Sequence, residues 1–255
     1  MIKRNENEQF KKGGMEDIAE HLDEYLIGLD DTFTFHCTQC GKCCVNREDI
    51  LLNALDIYRI AKELHLTPRE FIKKYCESYI GHNSKMQIVR LLPLGPFKIC
   101  PMLNRDGRCN VHRVKPTVCA TFPLGRVARV DKESGAISEP LFIFNDPDCG
   151  DHTETHTPRE WLGSFGIPVK DDFFGAWQSL MISDSKIMTA LAQQTERGSR
   201  NHRQRMKALI ENVESFTFDI MYTRYDTKKP FMEQFFENKQ MFHDRMEQLK
   251  QLIAN

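Results

Sequence analysis

Apolar residues recur at helical spacing over most of this chain, and the pattern lapses around the cysteines near position 40 and again across 86–145. Ile18, Ala19, Leu22, Tyr25 and Leu26 mark a helix over Glu16–Ile27, with Gly28 as its stop. Thr32-Phe33-Thr34-Phe35 reads as a short extended entry into the cysteine stretch. Ile50, Leu51, Ala54, Ile57, Tyr58 and Ala61 line one face of a helix from about Glu48 to Leu64. Thr67-Pro68-Arg69-Glu70 carries a capping hydroxyl, a proline at the first helical position and a capping-box glutamate. The helix it opens is expected to reach Tyr79, with Phe71, Ile72 and Tyr75 inward and Cys76 as a small apolar filler.

Short strands are expected at Gln87–Leu92, Gly125–Val130 and Ile137–Phe144, separated by turn-rich stretches containing Pro93, Pro96, Pro101, Gly107, Pro116 and Pro123. The helical pattern then returns. Thr157-Pro158-Arg159-Glu160 repeats the capped start and opens a helix to about Phe165. Further helices run from Asp171 or Asp172 to Ala192, from Ser199 to about Val213, and from Lys229 or Pro230 to Ile253. The expected fold is α+β and mostly α-helical, with an irregular cysteine-ligated metal core and a small antiparallel β element. Its expected parts are a flexible tail over 1–15, a metal-binding domain over 16–156 and a helical region over 157–255 packed on it. The last helix sets Phe231, Phe235, Phe236, Met241, Phe242 and Met246 among charges. Those residues suit core packing or a face for a protein partner.

Composition narrows the function classes. With 35 Lys and Arg against 36 Asp and Glu in 255 residues, bulk charge argues against nucleic acid. No apolar run approaches a membrane span, and no apolar stretch follows the basic residues at the start, so a cytoplasmic protein is expected. In a reducing compartment, clustered thiols at C-x2-C spacing point to metal rather than disulfides. Nine cysteines is also an odd number for a wholly disulfide framework.

Four of the nine fall within eight positions, Cys37-Thr38-Gln39-Cys40-Gly41-Lys42-Cys43-Cys44, and Gly41 supplies a position suited to a tight turn. With Cys100, Cys109, Cys119 and Cys149 they make eight ligand candidates. Adjacent side chains diverge, so Cys43 and Cys44 do not suit one small tetrahedral site. Four thiolates satisfy one zinc or one [4Fe–4S] cube, so eight imply two centres, or one centre ringed by extra thiols. The C-x2-C-x2-C run resembles the cube-binding run of bacterial ferredoxins, whereas zinc knuckles more often come as two separated C-x2–4-C pairs. An iron–sulfur cluster is therefore the expected cofactor, with zinc as the alternative. His36, His112, His152 and His156 lie near these cysteines in sequence, either as mixed ligands or as partners that tune a sulfur. Lys98, Arg105, Arg108, Arg113, Lys115, Arg126 and Arg129 face one acid, Asp106, within 98–129; they form a solvated basic region or offset thiolate charge. The motifs of phosphate-binding loops, dinucleotide folds, zinc proteases, hydrolase elbows and radical S-adenosylmethionine enzymes are absent from the sequence.

The stretch from Phe35 to Cys44 resembles the opening motif of the YkgJ-type cysteine-cluster family, named for the pattern CxxCxxCC and associated with zinc or iron chelation. Cys100-Pro101-Met102-Leu103, Gly107-Arg108-Cys109-Asn110-Val111-His112 and Lys115-Pro116-Thr117-Val118-Cys119-Ala120-Thr121-Phe122-Pro123-Leu124 resemble its later elements. The resemblance covers about Phe35 to Leu124 and implies a shared centre built from Cys37, Cys40, Cys43, Cys44, Cys100, Cys109 and Cys119. Cys149 stands where a final cysteine in such proteins often follows a strand pair. Val45, His112, Lys115 and Ala120 depart from the pattern, where Arg, Tyr, Arg and Arg are common. The family includes an enzyme that methylates flagellin lysines, so the resemblance permits a redox or methylase-like group-transfer role, with S-adenosylmethionine as a conceivable cofactor. The other expectations are a structural zinc module acting as a scaffold, and a labile metal-handling or redox-sensing protein. No catalytic residue is identified by these motifs.

Overall fold

The computed structural model describes residues 25–82, 84–127, 140–169, 172–196 and 199–254. The expected tail over 1–15 and most of the first helix lie outside them. The chain is mostly helical with small antiparallel sheets, the α+β class expected. It divides into two compact units. The first takes residues 25–43, 105–108 and 119–169 where described; the second takes 44–104, 109–118 and the chain from 172 onward.

In the first unit, β1 (Leu26–Ile27), β5 (Leu124–Val127) and β6 (Leu141–Phe144) form one sheet in the order β1-β6-β5. The tail of the expected first helix is thus a strand, because Leu26 and Ile27 pair with Ile143 and Phe142. A second sheet joins β2 (Phe33–His36) to β7 (Asp151–His156). Alternation on β2 buries Phe33 and Phe35 and leaves Thr34 and His36 more accessible. Helix α4 (Pro158–Ser164) opens on the Thr157 capping box and supplies Trp161. The Trp161 ring meets Phe33, Phe35, His156 and Phe165 at centroid distances of 5.2–5.9 Å, and its Nε1 donates to the Ala120 carbonyl at 3.1 Å. Cys37 and Cys149 pack against this same apolar cluster.

In the second unit, α1 (Ala54–Glu63) starts later than its apolar face suggests. Asn53 and Asp56 form a reciprocal capping box there, while residues 50–52 run alongside β4 (Gln87–Leu91). Leu52 N donates to Val89 O and Leu91 N to Ile50 O, at 2.9 and 3.0 Å. Ile50 and Leu52 are buried and Leu51 is exposed, a period-2 pattern concealed within a run that also fits period 3.6.

Helix α2 (Pro68–Tyr75) has the predicted Thr67–Glu70 capping box but ends four residues before Tyr79. Cys76–Ile80 form β3 instead, paired with all of β4. Cross-strand contacts explain the switch: Arg90 bonds Glu77 at 2.7 Å, and its guanidinium lies 5.0 Å from the Tyr79 ring centroid. Cys76 is therefore the first residue of a strand, not part of a helix. Replacing Thr67 with Ala removes the hydroxyl that accepts from Glu70 N and is expected to cost about 1 kcal/mol in chemical denaturation.

Three long helices complete this unit: α5 (Asp172–Thr195), α6 (Arg200–Phe218) and α7 (Phe231–Ala254). Between α6 and α7, Asp219–Thr223 form a π-helical turn. Phe231, Phe235, Phe242 and Met246 are buried, whereas Phe236 is exposed. The Phe173 ring packs edge-on to Phe231 and Phe235, so most of the aromatic stripe on α7 serves the interior. Among the described residues, no helix is long and apolar enough to cross a membrane.

Asp184 on α5 is only 2% exposed, and its Oδ1 has no hydrogen-bond partner. Burial first, and then the charge of Glu214, push its pKa up from 3.8 to about 7. An acid with a raised folded-state pKa contributes stability that is complete below its unfolded value and lost as pH rises through the folded one. The Asp184 contribution therefore declines between about pH 4 and pH 7. Asp184→Asn is expected to flatten this part of the profile and raise the thermal midpoint at pH 8; midpoints measured across that range check both effects.

Candidate metal centre

The cysteine loop leaves β2 directly, since Cys37 follows the last strand residue, His36. Gln39 and Gly41 take left-handed backbone angles, φ 52° and 73°, and Lys42–Cys44 close into a 3-10 turn. These turns fold C-x2-C-x2-C back on itself instead of extending it. Lys42 Nζ donates to the Asp148 carbonyl at 3.0 Å, tying the loop to the segment that carries Cys149.

Cys149 reaches the loop through the β2–β7 pairing. His36 stands opposite Asp151, so the residues just beyond that rung are Cys37 on one side and Gly150 and Cys149 on the other. Cys40, Cys43 and Cys37 all lie near enough to Cys149 for their charges to act on its thiol. Burial, reinforced by those neighbours, pushes the Cys149 thiol up to about 11. Cys40 is shifted the other way, chiefly by a hydrogen bond from the Lys42 amide against the cost of burial, with help from the Gly150 amide and Thr38. Cys40 is thus the thiol of the pair that ionises more readily.

The first unit therefore gathers Cys37, Cys40, Cys43 and Cys149. Cys119 lies half-buried on α3 (Thr117–Thr121). In the second unit, Cys44, Cys100 and Cys109 are linked through the backbone. Cys100 N donates to Cys44 O at 2.8 Å, Leu103 N donates to Cys100 O at 3.0 Å, and Leu103 bridges Cys109. Cys76 stands apart: burial alone drives its pKa far above the thiol range, the mark of an inert side chain. Among the described residues no disulfide is formed.

Soft thiolates are the donors that zinc and iron–sulfur clusters take, so the four thiols of the first unit fit either in number and chemistry. Their separations are looser than ligation. Among the described residues, no three His, Cys, Asp or Glu side chains are drawn together closely enough to grip an ion. Tetrahedral zinc at about 2.3 Å per bond requires sulfur separations of roughly 3.8 Å, whereas charge acts over longer distances. The mutual effect on Cys149 therefore establishes proximity and not a closed cage.

The histidines are divided among different tasks. His36 Nδ1 lies 3.2 Å from both Asp151 oxygens, and its Nε2 is 3.7 Å from Glu154 Oε1. His152 Nδ1 is 3.0 Å from the Thr34 carbonyl. His156 Nε2 is 3.3 Å from Glu154 Oε2, and this buried nitrogen makes no hydrogen bond. His112 opens a 3-10 turn in the second unit, and burial, then Lys115, lower its pKa. Of the basic residues in 98–129, Lys98 is held by Glu48 at 2.5 Å. Sequence reasoning did not anticipate β7: Asp151-His152-Thr153-Glu154-Thr155-His156 has no apolar alternation to mark a strand. Its Thr content and the preceding Asp-Cys-Gly turn were the available signals.

A folded-back loop of three cysteines beside a remote fourth is a thiol-rich cluster of the kind that soft metals take. Residues 36–142 match the model of the CxxCxxCC family, described as a "Putative zinc- or iron-chelating domain". No curated protein and no solved structure matches the chain.

Proposed function

We propose that the chain is an iron–sulfur protein in which Cys37, Cys40, Cys43 and Cys149 hold a [4Fe–4S] cluster. The observation carrying this reading is the arrival of Cys149, by strand pairing, beside a C-x2-C-x2-C loop. That is the ferredoxin-like arrangement of three close ligands and one distant one. Cys44, Cys100 and Cys109 are the thiols of a second centre, and Cys119 remains a further ligand candidate. The cluster, when bound, supplies one-electron chemistry. The protein's own part is to place four thiolates, shield two of them with the Trp161 cluster, and offset charge with backbone donors at Cys40. A redox or methylase-like group-transfer role follows from this reading, with the compartment cytoplasmic. The test is the visible spectrum of anaerobically purified protein before and after dithionite. A broad absorption that bleaches on reduction is expected; a colourless protein contradicts the iron–sulfur assignment.

The same four-thiol set favours a second reading, a structural zinc site with all-thiolate coordination in a binding or scaffold module. A colourless protein that retains stoichiometric zinc and resists mild oxidation identifies it. Zinc or iron that leaves reversibly on mild oxidation identifies instead a labile metal-handling or redox-sensing protein.

A further inference from the structure

The β2–β7 ribbon is irregular where it meets the cysteines. Phe33↔His156 and Thr34↔Thr155 are in ordinary register, but the next rung is His36↔Asp151. One residue of β2, Phe35, thus spans the same interval as three of β7, His152, Thr153 and Glu154. Such bulges re-aim side chains beside functional sites. Here the bulge presents two carboxylates to one imidazole: Asp151 lies at 3.2 Å from Nδ1 of His36, and Glu154 lies at 3.7 Å from Nε2. Asp151 is itself oriented by the Thr153 amide at 3.1 Å and the Thr153 hydroxyl at 2.5 Å. His152 closes the bulge onto the Thr34 carbonyl.

We infer that His36 and Asp151 are positioning residues for the thiol centre: their side-chain bond pins the last rung of the ribbon and fixes the spacing of Cys37 and Cys149. The inference rests on the reading of those cysteines as metal ligands. His36 is one residue before Cys37, and Asp151 is two after Cys149, so the bond bridges the two chain segments at their exit from the sheet. The register shift behind the His36↔Asp151 rung interrupts the regular ladder, so the side-chain bond adds a second tie at this end of the ribbon. A ligand pair held at fixed spacing binds metal without the ordering cost of bringing two loops together. The pin acts through Nδ1, which an asparagine amide nitrogen can reproduce and an alanine cannot.

The test is cobalt(II) binding by the reduced full-length chain under anaerobic conditions, read from thiolate-to-cobalt charge transfer and by competition with a chelator. His36→Ala and Asp151→Ala are each expected to weaken cobalt retention about tenfold or more, the size typical of losing an outer partner of a metal site. The double variant is expected to be no worse than either single one, because both remove the same bond. His36→Asn is expected to restore most of the affinity, which an imidazole acting as a ligand would not allow. The metal-free His36→Ala protein should keep the wild-type thermal midpoint within a few degrees, separating positioning from general destabilisation. Wild-type affinity in His36→Ala, or additive losses in the double variant, would overturn the inference while leaving the thiol centre in place. A wild-type chain that shows no thiolate-to-cobalt band removes the metal reading and this inference together.

Discussion

Cys149→Ser is expected to abolish stable metal binding, while Cys76→Ser leaves metal content unchanged. Both substitutions exchange one sulfur for oxygen, and both cysteines were half-buried thiols before the change. What differs is company. Cys149 lies within electrostatic reach of Cys40, Cys43 and Cys37, whereas only burial acts on Cys76 at the head of β3. A hydroxyl is a poor ligand for zinc or iron–sulfur, so removing one of four thiolates leaves an open, hydrolysable position. Cys37→Ser, Cys40→Ser and Cys43→Ser are expected to behave like Cys149→Ser. Metal per chain after gel filtration, measured by atomic emission, checks the series. Unchanged stoichiometry in Cys149→Ser would remove the remote ligand from the assignment.

Gly150→Ala is expected to be the most damaging of the glycine substitutions, at about 4 kcal/mol and with loss of metal. Gly150 has φ 72°, where a side chain is strained, and an added Cβ would collide with the His36 carbonyl. It would also come within 2.7 Å of Phe35 Cε2. Neither neighbour can yield cheaply. His36 is in the paired strand, and Phe35 is 2% exposed and packed edge-on to Trp161 at 5.7 Å. Gly166→Ala is the control, with φ 63° but open space around its missing side chain, so only backbone strain of about 1 kcal/mol applies. Urea denaturation of both variants measures the difference. Equal costs would mean that the close approach at Gly150 contributes nothing.

Much of this molecule is legible in its sequence. The Thr67 and Thr157 capping boxes announce two helices because the chemistry of a helix start is local. The long C-terminal helices follow from apolar periodicity, and the cysteine spacing identifies a candidate centre without any fold. The errors share a cause. Residues 50–52 and 76–80 carry apolar positions compatible with either period, and partners elsewhere in the chain, β4 in both cases, decide for extended backbone. Leu26 and Ile27 were captured by β6 in the same way. The β7 strand is polar throughout, so no periodicity marks it, yet it is the element that delivers Cys149 and pins His36. Buried Asp184 was equally hidden, because a lone acid on a helix reads as solvent-facing until its neighbours are known.

Whether these thiols bind zinc or iron is tested most directly by quantitative iron, acid-labile sulfide and zinc per chain on protein purified anaerobically without an affinity tag. About four iron and four sulfide per chain are predicted for one cube, and roughly twice that if the second thiol group is also filled. Stoichiometric zinc without sulfide would keep the thiol centre and replace the cluster with a structural ion. Neither metal at stoichiometric level, in protein whose nine thiols titrate as reduced, would contradict a metal centre at these cysteines.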